Sequence, residues 1–276
     1  MISKFFKYFL TSFILVYITF VLLVYFNQEK LVFHPSPNFR MPPKSFEIEQ
    51  KFIHKTNGDS LMTWWKQNNN SGDTFIFFSG NAGNISGRLF FVEMAQSLGM
   101  NILLFDYRGF GLSSGKLQNK EDLFEDSRAA INYLIKNKNI PQEKIVLWAL
   151  SLGGTIAANL ATEYSVKALI FEGVMKSIKD VALESNSFRY KILPLDLILK
   201  FDYNAVESVK QLDEPILFLH SKADSLVRYH HAETLYSLVK NSSKEIIPLT
   251  GSHQTAHDDS YDIYFEGIRS FLNRLK

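Results

Sequence analysis

The stretch KIVLWALSLGG, residues 144–154, decides the fold because it joins an apolar run to a serine and a glycine pair. Residues 145–150 are all apolar, with no polar alternation, which predicts a strand covered on both faces. Residues 152–164 carry the apolar spacing of an amphipathic helix. A strand that turns directly into a helix at Ser151 indicates a mainly parallel sheet with helices packed against it.

The rest of the chain repeats this alternation. The predicted strands are residues 46–54, 61–66, 74–78, 101–107, 144–150, 166–173, 215–221 and 244–250, and the predicted helices are residues 88–98, 120–136, 152–164, 230–240 and 261–275. The first two strands are expected to enter the sheet antiparallel. The order predicts one α/β domain, residues 28–276, with a mainly parallel eight-stranded sheet flanked by helices and right-handed crossovers.

One connection is too long for a simple crossover. Residues 174–214 include Pro194 and several Leu and aromatic residues. We expect this segment to form a small helical cap over the carboxyl edge of the sheet.

The N-terminus predicts a membrane anchor, residues 1–27. Tyr8 to Phe26 is a run of 19 residues without a charge, Gly or Pro, which as a helix would extend about 28 Å, close to the ~30 Å hydrocarbon thickness of a bilayer. A cleavable signal peptide is the competing interpretation, but its apolar region is usually shorter and is followed by small residues. Here the flank reads YFNQEKLVFHPSP.

The basic residues around this run set the expected orientation. Lys4 and Lys7 precede it, whereas Lys30, Arg40 and Lys44 follow it within about 20 residues and Glu29 offsets Lys30. The positive-inside rule then favours a single-pass protein whose N-terminus is cytoplasmic and whose globular domain lies outside, in a periplasm or lumen.

Composition excludes several classes of function. Lys and Arg total 30 against 28 Asp and Glu, for a formal net charge of +2, so we expect no nucleic-acid partner. The chain has no cysteine, which excludes disulfides, thiolate zinc sites and a cysteine nucleophile. We expect neither a cofactor nor a metal ion.

Reactive side chains follow three of the predicted strands, where ligands of parallel sheets gather. Ser151 lies at the strand-to-helix turn, Asp224 follows strand 215–221, and His253 follows strand 244–250. The order Ser, acid, His is that of a nucleophile, its orienting acid and its base in this architecture. Each residue also has a structural interpretation: Ser151 as a helix cap, Asp224 as a turn former, and His253 as a surface residue.

Two alternatives for this set stay open. Glu172, at the end of strand 166–173, and Asp202 compete with Asp224 as the acid. His257 competes with His253 as the base, although it lies further from its strand.

The glycine-containing turn SGNAGN, residues 79–84, follows strand 74–78. Such a turn can aim the backbone N–H of Asn81 at the same point as the N–H of Leu152, and two such donors form an oxyanion hole. A phosphate-binding loop is the rival interpretation, but the G-x-x-x-x-G-K-[ST] pattern is absent.

Five motifs in this order, SGNAGN (79–84), FDYRGFGLSSG (105–115), ALSLGG (149–154), HSKADSLV (220–227) and GSH (251–253), resemble the α/β-hydrolase superfamily. The similarity covers about residues 28–276 and is greatest to single-pass, membrane-tethered serine hydrolases with an HGNAGN-type oxyanion loop. Ala149 replaces the usual glycine, and Ser79 stands where the family usually has histidine.

The resemblance implies roles for the residues quoted above. Ser151 would be the nucleophile, Asp224 the acid and His253 the base, with the amides of Asn81 and Leu152 as oxyanion donors. Residues 106–115 would support the floor of the site.

These observations predict a membrane-anchored serine hydrolase that cleaves carboxylic esters or thioesters through an acyl-enzyme. The expected substrate is a small molecule or a lipid carrying an acyl ester. A non-catalytic binding protein of the same fold and a serine peptidase are the alternatives. A metallohydrolase using His253 and His257 is disfavoured because the Glu of H-E-x-x-H is missing.

Overall fold

The computed structural model describes residues 4–68, 72–185 and 187–275. Its strands are β1 (His34–Pro35), β2 (Glu49–His54), β3 (Ser60–Lys66), β4 (Thr74–Phe78), β5 (Ala82–Gly83), β6 (Asn101–Phe105), β7 (Ile145–Leu150), β8 (Ala168–Glu172), β9 (Ile216–Ser221) and β10 (Lys244–Leu249).

The helices of this part of the chain are α1 (Lys4–Phe26), α2 (Gln28–Val32), α3 (Leu89–Ser97), α4 (Glu121–Asn137), α5 (Leu152–Leu160), α6 (Ile178–Glu184), α7 (Phe188–Lys191), α8 (Leu195–Ile198), α9 (Val206–Val209), α10 (His230–Leu238), α11 (Ala256–Asp259) and α12 (Tyr261–Asn273). Short 3-10 turns cover Lys44–Phe46, Ile85–Gly87 and Gln142–Lys144.

Eight strands form one sheet in the order β10-β9-β8-β7-β4-β6-β3-β2. The strand β3 runs antiparallel to its neighbours β2 and β6, and the other pairs are parallel. The predicted α/β class and eight-stranded sheet are therefore confirmed. The carboxyl ends of β4, β7, β8 and β9 lie side by side, so the residues that follow them share one edge.

The central strands are buried on both faces, as their unbroken apolar sequences predict. In β4, Ile76 and Phe78 face a layer built with α4, α5 and α10, whereas Phe75 and Phe77 face a layer built with α3 and α12. This is the period of two expected of a strand. The residues that follow these strands at the carboxyl edge are therefore attached to a sheet that is packed on both faces.

Two details differ from the sequence prediction. The strand expected from residue 46 begins at Glu49, because Lys44–Phe46 form a 3-10 turn after Pro43. A second sheet, formed by β1 and β5 in parallel, was not predicted. Each of its strands has two residues, which is too short for a periodic signal in the sequence.

The described part of segment 174–214, which we call the cap, contains four short helices, α6 to α9. The N-terminal helix α1 has 23 residues with a mean hydropathy of 2.4 in its most apolar window, and no residue of it is buried. By length and composition it is able to span a membrane. Its second half packs against the cap, where Leu193, Leu195 and Ile198 form a small apolar cluster with it.

Candidate active site

Ser151 occupies a strained position between β7 and α5. Its φ of 54° and ψ of −117° lie in a region that costs a non-glycine residue about 1–3 kcal/mol, and such strain persists only where the surroundings enforce it. The Ser151 N–H donates to the carbonyl of Glu172 at 2.8 Å, which ties the turn to the end of β8. The sharp turn leaves the side chain at the sheet edge.

The glycines after Ser151 allow the helix to approach the sheet. A Cβ on Gly153 would lie 2.3 Å from the carbonyl oxygen of Phe78, and one on Gly154 would lie 2.5 Å from Cγ2 of Val174. Only glycine therefore fits at each of these two positions. Ala149, which replaces the usual glycine before the serine, is fully buried in β7.

Three side chains from separate loops converge at this edge. The Oγ atom of Ser151 lies 3.0 Å from Nε2 of His253, and Nδ1 of the same imidazole lies 2.6 Å from Oδ2 of Asp224. The Asp224 side chain is 1% exposed and that of His253 is 11% exposed. The structure therefore brings the predicted serine, histidine and aspartate within hydrogen-bond distance of one another.

Asp224 is held as a carboxylate. Its Oδ1 accepts the N–H groups of Leu226 and Val227 at 2.9 and 2.8 Å, and its Oδ2 lies 3.5 Å from Nε2 of His220. Burial opposes ionisation, yet the hydrogen bonds from His220 and His253 outweigh it and hold the pKa of Asp224 well below its usual range. The acid is thus ionised at neutral pH and orients the imidazole.

His220 is a neighbour of Asp224 that sequence reasoning missed. It is fully buried at the end of β9, and its Nε2 also lies 2.7 Å from the carbonyl of Val227. A histidine four residues before the acid is a visible signal, but a lone histidine in a strand is more often part of the core than of a site.

Gly173 provides room for the imidazole. It has a φ of +55°, and a Cβ there would lie 3.1 Å from Cε1 of His253 and 3.9 Å from Oδ2 of Asp224. The end of β8 therefore lies directly against the histidine and the acid.

The predicted oxyanion loop lies against the serine. A Cβ on Gly80 would lie 3.5 Å from Cβ of Ser151. Among the residues that the structure describes, neither the N–H of Asn81 nor that of Leu152 has a hydrogen-bond partner.

The segment that follows the predicted anchor supports this loop. The side-chain amide of Asn81 donates from Nδ2 to the carbonyl of Val32 at 2.6 Å, and the backbone N–H of His34 donates to the backbone carbonyl of Asn81 at 2.8 Å. The parallel pairing of β1 with β5 extends this contact between the two segments. The side chain of Asn84 also donates to the carbonyls of Ser36 and Asn38. These bonds provide support near the position where Ser79 replaces the usual histidine.

The competing acid and base pair with each other. Oε1 of Glu172 lies 2.8 Å from Nδ1 of His257, and its Oε2 accepts the Tyr264 hydroxyl at 2.5 Å. Burial favours the neutral imidazole, but the hydrogen bond and charge of Glu172 outweigh it and raise the pKa of His257. Asp202, the other candidate acid, is exposed on the cap.

Structural comparison aligns the chain with Pf2001, an esterase of Pyrococcus furiosus, with a TM-score of 0.74 and 20% identity, over 87% of this chain and 98% of that one. A family model described as the alpha/beta hydrolase fold matches residues 73–197. The chain has the α/β-hydrolase fold. The esterase domain of a Rhodothermus marinus protein is similar at a TM-score of 0.61 and 20% identity, over 82% of this chain and 98% of that one.

Relatives with sequence similarity come from bacteria, plants and fungi. The protein YfhR of Escherichia coli O157:H7 is 29% identical over 245 residues, 83% of this chain and 82% of that protein. The alpha/beta hydrolase domain-containing protein WAV2 of Arabidopsis thaliana is 28% identical over 92% of this chain and 89% of that protein. Protein bem46 of Schizosaccharomyces pombe is 28% identical over 83% and 79%.

The loop of residues 106–115, which the resemblance expects to support the floor of the site, contacts the turn that follows residues 79–84. Asp106 is buried and accepts the N–H of Ile85 at 2.9 Å, which fixes the turn after the predicted oxyanion loop. Burial raises the pKa of Asp106 to about 7. The guanidinium of Arg108 donates hydrogen bonds of 2.8–3.1 Å to the carboxylate of Asp126. Neither residue touches Ser151 or His253 by any hydrogen bond in the described part of the chain.

A cluster away from the serine has the composition of a metal site. Ligand atoms of Glu184, His230 and His231 lie within 4.8 Å of one another. However, Nδ1 of His231 accepts the N–H of Lys176 at 3.1 Å, so in the neutral imidazole the proton is on Nε2, which faces Glu184 at 3.1 Å. Neither nitrogen of the His231 ring then has a free lone pair for a metal ion. The cluster instead joins α6 of the cap to α10.

Proposed function

We propose that this chain is a membrane-anchored serine hydrolase that cleaves carboxylic esters or thioesters through an acyl-enzyme. The observation that carries the proposal is the distance of 3.0 Å between Ser151 Oγ and His253 Nε2, with the other imidazole nitrogen 2.6 Å from Asp224. An ionised Asp224 keeps the proton of the neutral imidazole on Nδ1, so that Nε2 presents its lone pair to the hydroxyl.

The proposed reaction has two halves. Ser151 Oγ attacks the acyl carbonyl while His253 takes the hydroxyl proton, and His253 then gives that proton to the leaving alkoxide or thiolate. Water deprotonated by His253 attacks the acyl-serine, and the acid leaves as Ser151 regains its proton. The N–H groups of Asn81 and Leu152 would stabilise the oxyanion in both halves, typically by about 2.7–4 kcal/mol for each donor.

The substrate class rests on the neighbourhood of the site. Esterases are among the solved structures with the same fold. The cap, which begins directly after Gly173 beside His253, carries exposed apolar residues. These features favour an acyl ester or an acylated lipid or protein as the substrate.

The anchor is a separate part of the proposal. A signal sequence would be removed, but the second half of α1 makes contacts that its loss would expose: its Tyr17 hydroxyl donates to the carbonyl of Ile192 at 2.7 Å. We infer that α1 is retained, with the N-terminus cytoplasmic and the hydrolase domain outside. Alkaline phosphatase fused after Lys276 should be active if the domain is exported, and inactive if the orientation is the reverse.

The hydrolase proposal is tested with a fluorophosphonate probe on the detergent-solubilised full-length chain. The wild type should be labelled, and Ser151→Ala should not. Ser151→Ala and His253→Ala should lower kcat for p-nitrophenyl esters by about 10⁴–10⁶-fold, whereas His257→Ala should retain labelling.

The alternatives give different results in the same assay. Absence of labelling of a folded wild type, together with ligand binding, would indicate a non-catalytic binding protein. Faster cleavage of a peptide amide than of its matched ester would indicate a peptidase, and loss of turnover with a chelator would indicate a metallohydrolase.

A further inference from the structure

The cap and the N-terminal helix share an apolar interface. Phe20, Val21, Val24 and Tyr25 of α1 pack against the cluster of Leu193, Leu195 and Ile198 on the cap. We call residues 188–198 of the cap, which include α7 and α8, the cap tip. The cap tip thus lies beside the second half of α1 rather than beyond its end.

The length of α1 sets the depth of this contact. A helix needs about 20 residues to cross the hydrocarbon of a bilayer, and α1 has 23, so only a few of its residues can lie outside. Tyr17 is nine residues before the end of the helix at Phe26, or about 14 Å along its axis. Residues of the cap tip that touch Tyr17 and Phe20 therefore share the depth of one membrane leaflet.

Hydrogen bonds from the N-terminal segment satisfy polar backbone groups at this interface. The Tyr17 hydroxyl donates to the carbonyl of Ile192 at 2.7 Å. The buried side chain of Gln28 donates to the carbonyl of Ile198 at 2.6 Å and accepts the N–H of Lys200 at 2.9 Å. Non-helical backbone at membrane depth is tolerated only where such partners replace water.

The outer face of the cap tip has the composition of a membrane-interface segment. Phe188 is 72% exposed, Leu197 is 85% exposed and Ile192 is 40% exposed. Arg189 and Lys191 are exposed between Phe188 and Ile192, and neither forms an ion pair within the described residues, whereas the exposed Asp196 beside Leu197 is paired with Lys179. Apolar side chains next to unpaired cations fit the boundary between acyl chains and phosphate groups.

We propose that the cap tip is seated in the leaflet that α1 leaves at its C-terminal end, with Phe188, Ile192 and Leu197 among the acyl chains and Arg189 and Lys191 at the phosphates. The inference rests on the proposed anchor and extends it, because it makes the cap a second membrane contact. The hydrolase domain would then be held against the leaflet in which acylated substrates reside.

The absence of cysteine from the chain permits a direct test. Leu197→Cys in the full-length chain is labelled with an environment-sensitive fluorophore and reconstituted into vesicles of phosphatidylcholine and phosphatidylglycerol. Leu15→Cys, on the exposed surface of α1, reports the anchor, and Phe52→Cys, an exposed apolar residue on the edge strand β2, is the matched control. Quenching is measured with lipids that carry a spin label on the acyl chain.

The label at residue 197 should be blue-shifted and should lose a fraction of its emission comparable with that at residue 15, while the label at residue 52 is unquenched. Quenching at residue 15 without quenching at residue 197 would overturn the inference and leave the anchor intact. Absence of quenching at both would reject the anchor itself. Fluorophosphonate labelling of the same samples reports the hydrolase site independently of either outcome.

Discussion

The pairs Asp224–His253 and Glu172–His257 are built alike. In both, a carboxylate at most 2% exposed lies within 2.8 Å of Nδ1 of a histidine that is 11% exposed. The two pairs differ in the group that lies opposite the other ring nitrogen, Nε2. Nε2 of His253 faces the hydroxyl of Ser151 at 3.0 Å, whereas Nε2 of His257 has the carboxylate of Asp258 at 3.8 Å.

The pairs also differ in the partners of the carboxylate oxygen that does not face the histidine. Asp224 accepts two backbone N–H groups, which leaves its position fixed by the loop. Glu172 accepts the hydroxyl of Tyr264, which in turn accepts the indole N–H of Trp148 in the core. The His257 ring also packs 4.7 Å from that of Phe90. Burial and pairing are therefore alike in the two pairs, and only the group opposite Nε2 supports the proposed catalytic role of Asp224 and His253 over Glu172 and His257.

Neutralising each acid should break this comparison most strongly. Asp224→Asn should lower kcat for an ester by about 10⁴-fold, because an amide does not hold the required tautomer of His253. Glu172→Gln should keep kcat within a few-fold and should instead cost about 1–3 kcal/mol of unfolding free energy, because Tyr264 and His257 lose a charged partner. Ester turnover and urea unfolding measure the two effects, and the reverse ranking would assign the acid to Glu172.

A methyl group at Gly173 should separate geometry from charge. Gly173→Ala places a Cβ 3.1 Å from the His253 ring, which must then move by a few tenths of an ångström. We expect kcat to fall, but by less than the roughly 10²-fold that a misplacement of 1 Å costs. Gly99→Ala is the matched control, because Gly99 also has a positive φ, +75°, but nothing within 4 Å of the added Cβ. Both variants should lose stability through backbone strain. Equal kcat values for the two would show that the space beside His253 is not needed.

The fold was predictable because its signals are local and repeated. The buried strands β4, β6, β7, β8 and β9 are continuous apolar runs, and their order along the chain limits the topology to few choices. The boundaries shifted by a few residues where caps and 3-10 turns, as at Lys44–Phe46, replace periodic structure.

The members of the candidate site were predictable from the strand ends, whereas the pairing of acid with base was predicted only through the family resemblance. Asp224 and Glu172 both follow strands of one sheet, and His253 and His257 are four residues apart, so sequence spacing allows either acid to meet either base. The choice depends on side-chain directions, which spacing does not contain. The support of the predicted oxyanion loop by residues 32–38 was missed for a different reason: those residues contribute only backbone groups to it, which leave no residue signature.

Raising the pH should expose the smallest difference between the pairs. Although burial opposes it, Glu172 raises the pKa of His257 in the folded chain, so the stability from protonated His257 is present below about pH 6.5 and is lost as the pH rises through the folded pKa. The Tm advantage of wild type over His257→Gln should therefore shrink between pH 6 and pH 8.5. For a chain of this size 1 kcal/mol corresponds to about 2–4 °C, which calorimetry resolves.

His231 provides a control of opposite sign for this experiment. Burial lowers the pKa of His231 despite the nearby Glu184, so the unfolded chain binds this proton more readily and the histidine costs stability as the pH falls below about 6.5. Relative to wild type, His231→Gln should therefore gain Tm on acidification, whereas His257→Gln should lose it. If His257→Gln also gained Tm on acidification, the charge on Glu172 would not stabilise protonated His257. The shape of the pocket near Phe90 would then be the reason for the pairing of Glu172 with His257.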